Sequence, residues 1–299
     1  MPNTWLVVDG VQYEIEDVPG ARHLDSVGGV GLPPVEHITS RGVYQDGETW
    51  IRENLRPRIL AGLLHIHAGT PLAMEGEVEA LAVRLAAFGR LIWLRLRSDG
   101  TYRQATVNYL DDGGMPWAAS EGFGQRKIPV RVVAHDPLFY SPTMEEFIYS
   151  GGASVGSWIF GTAAGLHFPA HFGGDYVGVV KTCYYLGTWR TLPIIRLDGP
   201  ITDPVIQNLT IGEELDFTGH TVANGEWLEI DCRYGYKTVT HSVSGNVISW
   251  LSTDSDLGTF HLAGLNESAD GANDLLVDGS GTGVNTKVKF TYYLRYVSP

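Results

Sequence analysis

Several places in this chain bring together side chains that could do acid–base or metal chemistry. In "RVVAHDPLFYSP" (131–142) His135 and Asp136 are adjacent, and both are residue types used in proton transfer. Neighbours on a strand point to opposite faces, so the pair cannot form a dyad. Pro137 and Pro142 stop the strand, and Leu138, Phe139 and Tyr140 can anchor its exit, so the stretch is expected to close a domain. His65 and His67 in "LLHIHAG" share a strand face, a spacing metal sites use, but no third ligand lies nearby in sequence. His167 and His171 would share one face of a helix, yet Pro169 between them would cost such a helix ~3 kcal/mol.

Glu229 and Asp231 sit two apart in "EWLEIDCRY", which on a strand separates them by about 7 Å on one face. That falls within the window of an inverting glycosidase, but parallel projection from one strand does not flank a scissile bond. A solvated polar face explains the pair more simply. "TDSD" (253–256) and "NDLLVDGSG" (273–281) offer oxygen ligands for Ca²⁺, and neither fits the twelve-residue loop of the helix–loop–helix site. Asp and Asn in such places ordinarily serve turns. Trp227 and Trp250 are candidate stacking platforms for a sugar ring, against the plainer expectation of core aromatics. No phosphate-binding Gly loop, GxSxG elbow or HExxH motif is present. The expectation is a protein that is not an enzyme and carries no cofactor or metal.

What must position these residues is a β-rich scaffold. The 299 residues suffice for two ordinary domains. The hydrophobic share of 43% and charged share of 18% are those of an ordered globular chain. The net charge is −13, with 13 Lys+Arg against 17 Asp+Glu in residues 1–142 and 8 against 17 in residues 143–299. So acidic a second half argues against docking to nucleic acid or an anionic membrane. Cys183 and Cys232 are the two cysteines, too few for a disulfide framework and expected to be buried thiols. The N-terminus shows no signal-peptide pattern, and no apolar run approaches the ~20 residues of a membrane span, so a soluble chain is expected.

Along the chain, "WLVVDGVQYEIEDV" predicts a hairpin turning at Asp9-Gly10, and 19–35 predicts a long loop. Strand-like segments then surround Asp46-Gly47. In "PLAMEGEVEALAVRLAAFGRL" Val78, Leu81, Leu85 and Phe88 recur at helical spacing, with Glu75, Glu77 and Glu79 placed to favour the helix N-terminus. The next hairpin turns at Asp99-Gly100. Alternation there places Ile92, Leu94 and Leu96 on one face and Trp93, Arg95 and Arg97 on the other, an outward patch suited to an interface. Residues 143–185 are aromatic and Gly-rich. From 186 the chain predicts an antiparallel sandwich. Leu228, Ile230, Cys232 and Tyr234 share one face, as do Val288, Phe290, Tyr292, Leu294 and Tyr296. The expected fold class is mainly β, with domains over 1–142 and 186–299 joined by 143–185.

The run "LGTWRTLPIIRLDGPITDPVIQNLTIGEELDFTGHTVANGEWLEIDCRYGYKTVT" closely resembles the C-terminal domain of the distal tail proteins of long-tailed, non-contractile bacteriophages. Gly199-Pro200, Pro204, Ile206, Asn208, Leu215, Phe217, Leu228, Ile230, Asp231 and Val239 carry the pattern. In the first half, "ITSRGVYQDGETWIRENLRPRIL" resembles that family's first domain, chiefly through Gln45-Asp46-Gly47 and Arg56-Pro57-Arg58. The resemblance implies a hexameric ring at the distal end of the virion tail, made in the host cytoplasm. The first domain would form the ring and meet the tail tube protein and the tail-tip hub protein. The second, galectin-like or carbohydrate-module-like, would project outward toward receptor-binding proteins or host-surface glycan. The patch of Trp93, Arg95 and Arg97 is the candidate ring or partner contact, and Trp227 and Trp250 are the candidate glycan contacts.

Overall fold

The computed structural model describes residues 4–15, 22–110, 124–150 and 178–299. Two compact units result: Met1–Pro142 with Arg295–Pro299, and Thr143–Leu294. The five C-terminal residues thus belong with the first unit, whereas a sandwich running to 299 was expected.

The first unit begins with β1 (Thr4–Val8) and β2 (Val11–Glu14), an antiparallel hairpin. Its turn residues Asp9 and Gly10 have φ of 50° and 80°, the left-handed pair that matches strand twist in a two-residue hairpin. Then come β3 (Arg22–Gly28), β4 (Val35–Ser40), β5 (Thr49–Leu55) and β6 (Arg58–His67). The loop expected over 19–35 is therefore a strand in its middle. Its pairing with β6 in register Leu24↔Leu64 buries both leucines and overrides the local Gly content.

Helix α1 (Pro71–Leu85) starts where Thr70 Oγ1 accepts from the Ala73 amide at 3.2 Å and Pro71 occupies the first turn. Val78, Leu81 and Leu85 are buried, as their spacing predicts. Two expectations fail at its ends. Phe88 lies beyond the helix and is exposed, and no acidic residue falls in the first turn, because the Thr70 cap starts the helix one turn before Glu75.

Strands β7 (Leu91–Leu96), β8 (Tyr102–Tyr109), β9 (Gln125–Ala134) and β10 (Phe139–Ser150) follow. Antiparallel pairing runs β2-β1-β7-β8-β9-β6-β3. The core gathers Leu6, Leu60, Leu64, Leu81, Trp93, Val107, Ile128 and Phe139. Strands β4 and β5 stand apart as a sheet of two.

The second unit adds β11 (Lys181–Tyr184), β12 (Ile194–Asp198), β13 (Ile201–Asn208), β14 (Glu213–Asp216), β15 (Thr221–Val222), β16 (Trp227–Asp231), β17 (Thr238–His241), β18 (Gly245–Asn246), β19 (Ala272–Ser280) and β20 (Lys287–Tyr296). One layer orders β18-β17-β16-β12-β20 and the other β11-β19-β13-β14, with β15 on β13. Ile195, Leu228, Ile230 and Phe290 from the first meet Ile206, Leu215, Leu275 and Val277 from the second in one core, a sandwich. Val288, Phe290 and Tyr292 face inward as predicted. Tyr234 does not, because β16 ends at Asp231 and Tyr234 lies in an exposed turn.

Between the layers, Asn208 and Asn273 are fully buried and fully engaged. Asn208 Nδ2 donates to Asn273 Oδ1 at 3.0 Å and to the His261 carbonyl at 2.9 Å. Asn273 Nδ2 donates to the carbonyls of Ala263 and Gly271, while its Oδ1 also accepts the Ala263 amide. The "NDLLVDGSG" segment thus spends its Asn on joining strands.

Candidate functional site

Trp93, Arg95 and Arg97 share a side of β7 as expected, but it is the core side and not an outward one. Trp93 is 1% exposed and is among the largest fully buried side chains in the first unit. It pairs across β1 with Leu6 and across β8 with Ala105, both buried, and the small Ala105 leaves room for the indole. The next row on that face is Thr4, Arg95 and Arg103. The odd-numbered side of β7 is therefore the core side, and it turns polar only where the core ends.

At that rim, Arg95 and Arg97 remain accessible. With Val30, Gly31, Ser98, Ser298 and Pro299 they line an open groove of about 430 Å³. Arg97 Nη1 donates to Asp99 Oδ2 at 2.7 Å, within the hairpin turn. Asp99 is held below the usual carboxylate range by hydrogen bonds from the Thr101 hydroxyl and amide, with Arg97 contributing less. Arg103 behind them is buried, lies over the Tyr296 ring at 3.6 Å and donates to the Ser298 carbonyl. Burial, and after it the Arg97 charge, pull its guanidinium below the usual range.

A second feature of the first unit is an arm built by β4 and β5, paired from Val35↔Leu55 to Ser40↔Thr49. Its base closes by the Arg56 amide to the Pro34 carbonyl at 2.8 Å and by an Arg56–Glu36 ion pair at 2.6 Å. That pair holds the Glu36 carboxyl below its usual range. His37–Glu53 and Thr39–Glu48 contacts brace the ribbon. Several of its apolar residues are exposed. Trp50 is 60% exposed, and Val35, Val43, Tyr44 and Ile51 are exposed with it. Isolated two-stranded ribbons are marginal in water, and this one presents Trp50 and Ile51 on its surface. Alternation showed strands here but not their exposure.

Arg58, at the start of β6, is 1% exposed. It donates to the carbonyls of Pro137 at 2.8 Å, Gly29 at 3.1 Å, Gly31 at 2.9 Å and Val297 at 2.6 Å, and lies over the Phe139 ring. Burial lowers its pKa to about 10, still far above neutral, so it stays cationic. Gly29 permits this gathering: its φ is +78°, and a Cβ there would lie 1.8 Å from the Ile59 carbonyl oxygen. "RPR" carried the family resemblance, but nothing local announced this role.

The residues that suggested chemistry are dispersed. β9 ends at Ala134, so His135 and Asp136 occupy the bend after the strand. Asp136 accepts from the Leu138 amide at 3.1 Å, from the Tyr140 hydroxyl and from Arg295 at 3.5 Å. Burial foremost pushes the Tyr140 phenol well up. His65 lies 3.9 Å from Asp25 and edge-on to His23, and His67 is exposed. Asp231 is buried, not on a solvated face, with both its oxygens bound by Arg233 at 2.7–3.2 Å. Asp256 accepts the Glu214 amide at 3.0 Å. Among the described residues no group of three His, Cys, Asp or Glu is placed to hold a metal. His167 and His171 lie outside the described residues.

Trp227 carries the Arg196 guanidinium over its ring at 4.7 Å. Trp250 stacks on His220 at 4.6 Å and meets His241 at 5.0 Å. Arg196 thus covers one face of Trp227, and two histidines crowd Trp250. Cys183 and Cys232 are buried free thiols, pushed by burial up to about 11 and about 12. One ionic cluster escaped the sequence reading. His261 meets Glu213 at 3.2 Å on one side of its ring and Glu267 at 3.2 Å on the other. The carboxylates lie on opposite edges and cannot share a cation with it. Among the described residues, no helix is long and apolar enough to cross a membrane.

No protein-family model and no curated protein sequence matches the chain. Solved structures do. The Dit protein (gp 19.1) of phage SPP1, described as a paradigm of the hub adsorption apparatus in phages infecting Gram-positive hosts, aligns over 98% of both chains with a TM-score of 0.61 at 15% identity. Baseplate structures of phage p2 in the activated conformation, with Sr or Ca, align over 98% of both chains at TM-scores of 0.48 and 0.47 and identities of 9% and 11%, too loosely to argue from. The mainly-β fold, with one α-helix among the described residues, is similar to that of the SPP1 Dit protein.

Proposed function

We propose that this chain is a structural, non-enzymatic protein of a bacteriophage tail tip, whose first unit joins copies of itself into a closed ring. The observation that carries the reading is the β4–β5 arm, which leaves Trp50 and Ile51 exposed on a ribbon that pairs with no third strand among the described residues. Its occupant in this reading is the adjacent copy. A closed ring needs two different patches per subunit, contacting head to tail, and an arm reaching onto a neighbour supplies one of them. The fold shared with the SPP1 Dit protein supports the tail setting. Hexameric stoichiometry, contact with tail tube and hub proteins, and a second unit directed at receptor-binding proteins or host glycan belong to the same proposal and rest on the sequence resemblance alone.

Native mass spectrometry and negative-stain electron microscopy of the purified chain are the test. Rings are expected from the unaltered protein. Trp50→Glu with Ile51→Glu should leave folded monomers, since neither side chain belongs to the core. A chain that stays monomeric even with its tube partner would overturn the reading.

A further inference from the structure

We propose that the groove lined by Arg95, Arg97, Ser98, Val30 and Gly31 is a docking site for a carboxylate-bearing segment of the neighbouring copy of this chain; this rests on the ring reading above. Three observations lead to it.

The first is unspent cationic capacity. Among the described residues, the Arg95 side chain makes no ion pair or hydrogen bond, although its backbone lies in the β7 ladder. Arg97 uses only Nη1, on Asp99, which leaves the rest of its fork free. The second is the like-charge pairing Arg95↔Arg103 across the hairpin. Like charges directly opposite on a sheet are destabilising. Arg103 is committed to the Ser298 carbonyl and the Tyr296 ring, and the nearby Asp99 carboxylate, whose charge reaches Arg103, is itself bound by Arg97 and Thr101. An incoming carboxylate would relieve it, and an arginine fork binds a carboxylate through two parallel hydrogen bonds. The third is charge complementarity. The chain carries 34 acidic against 21 basic residues, so two copies repel unless a cationic spot on one faces an acidic segment of the other. The groove's volume of about 430 Å³ falls in the range of real ligand sites and suits one or two acidic side chains.

Ring formation should be followed by native mass spectrometry and by sedimentation at 50 and 500 mM NaCl. The unaltered chain should lose association as salt rises. Arg95→Glu with Arg97→Glu should weaken association by about tenfold or more at low salt, while Arg95→Lys with Arg97→Lys retains part of it. The glutamate at 95 would face Arg103, so that variant is expected to fold. Carbodiimide treatment of an Arg95→Lys variant, assembled from ¹⁴N and ¹⁵N copies, should yield mixed-isotope cross-linked peptides that identify the donor carboxylate. Rings of undiminished strength from the double glutamate variant, or links confined within one copy, would overturn the docking site and leave the ring reading standing. A monomeric unaltered chain would remove both. Loss of binding to some other tail protein with rings intact would also count against the proposed occupant.

Discussion

Arg58 Nη2 donates to the Val297 carbonyl at 2.6 Å, joining residues 239 positions apart in one buried contact of the first unit. The same guanidinium satisfies the carbonyls of Pro137, Gly29 and Gly31, so it ties the exit of β9, the loop after β3 and the returning C-terminal segment to the start of β6. Asp136 and Arg103 hold the same segment, through Arg295 and Ser298.

Replacing Arg58 by Met should therefore leave four part-buried carbonyls without their donor at once. Each unsatisfied buried group costs about 1–3 kcal/mol, and partial access to water should leave a loss of roughly 3 kcal/mol. Urea unfolding followed by hydrogen exchange should show the first unit opening at lower denaturant while the second holds. An unchanged first-unit midpoint would refute the role given to Arg58.

Trp93 and Arg95, grouped by sequence, should separate in experiment. Trp93→Ala removes a buried indole and is expected to destabilise the first unit by about 3–5 kcal/mol. Trp93→Phe should be much milder, because the Trp93 Nε1–H is buried with no hydrogen-bond partner. Arg95→Ala should leave stability within about 0.5 kcal/mol. Thermal denaturation of the three variants decides the matter. Equal losses at both positions would contradict the placement of β7.

The His261 cluster predicts a pH dependence of the second unit. Burial pulls the imidazole down, but hydrogen bonds to Glu213, Glu267 and the Thr259 carbonyl outweigh it and raise its pKa from 6.5 to about 9. Glu267 is lowered in turn, chiefly by its hydrogen bond from His261, with Arg190 3.6 Å away adding a little. A base raised on folding stabilises fully below its unfolded pKa and loses that contribution as pH rises through the folded value. Stability should thus fall between about pH 6.5 and 9, by roughly 2 kcal/mol after allowance for solvent screening. His261→Gln should flatten the profile in this window. Beyond it the buried thiols add a separate decline, since Cys183 and Cys232 are raised acids that ionise first in the unfolded chain. A variant profile as steep as the parent's between pH 6.5 and 9 would rule the cluster out as its source.

Much of the architecture was legible locally. Asp9-Gly10 turns a two-residue hairpin and Asp99-Gly100 sits in a longer one, each where the dipeptide predicts it, because both turns need left-handed backbone that Gly supplies freely. Val78, Leu81 and Leu85 mark a helix face because 3.6 residues make a turn. Alternation in "KVKFTYY" places Val288, Phe290 and Tyr292 inward because side chains on a strand alternate.

Other features belong to the tertiary structure alone. Alternation divides β7 into two faces but cannot say which is buried when both carry large apolar residues. Contact with Leu6 and Ala105 decided for Trp93. The same limit applies to the arm, since a strand pattern is identical whether or not anything covers the face. Asp231 read as solvated until its neighbour Arg233 folded over it, and Glu213 came to His261 from 48 residues away. Sequence sets the period and the turn because those depend on neighbours along the chain. Burial, ion pairing and exposed surface depend on neighbours in space, and only the folded chain brings those together.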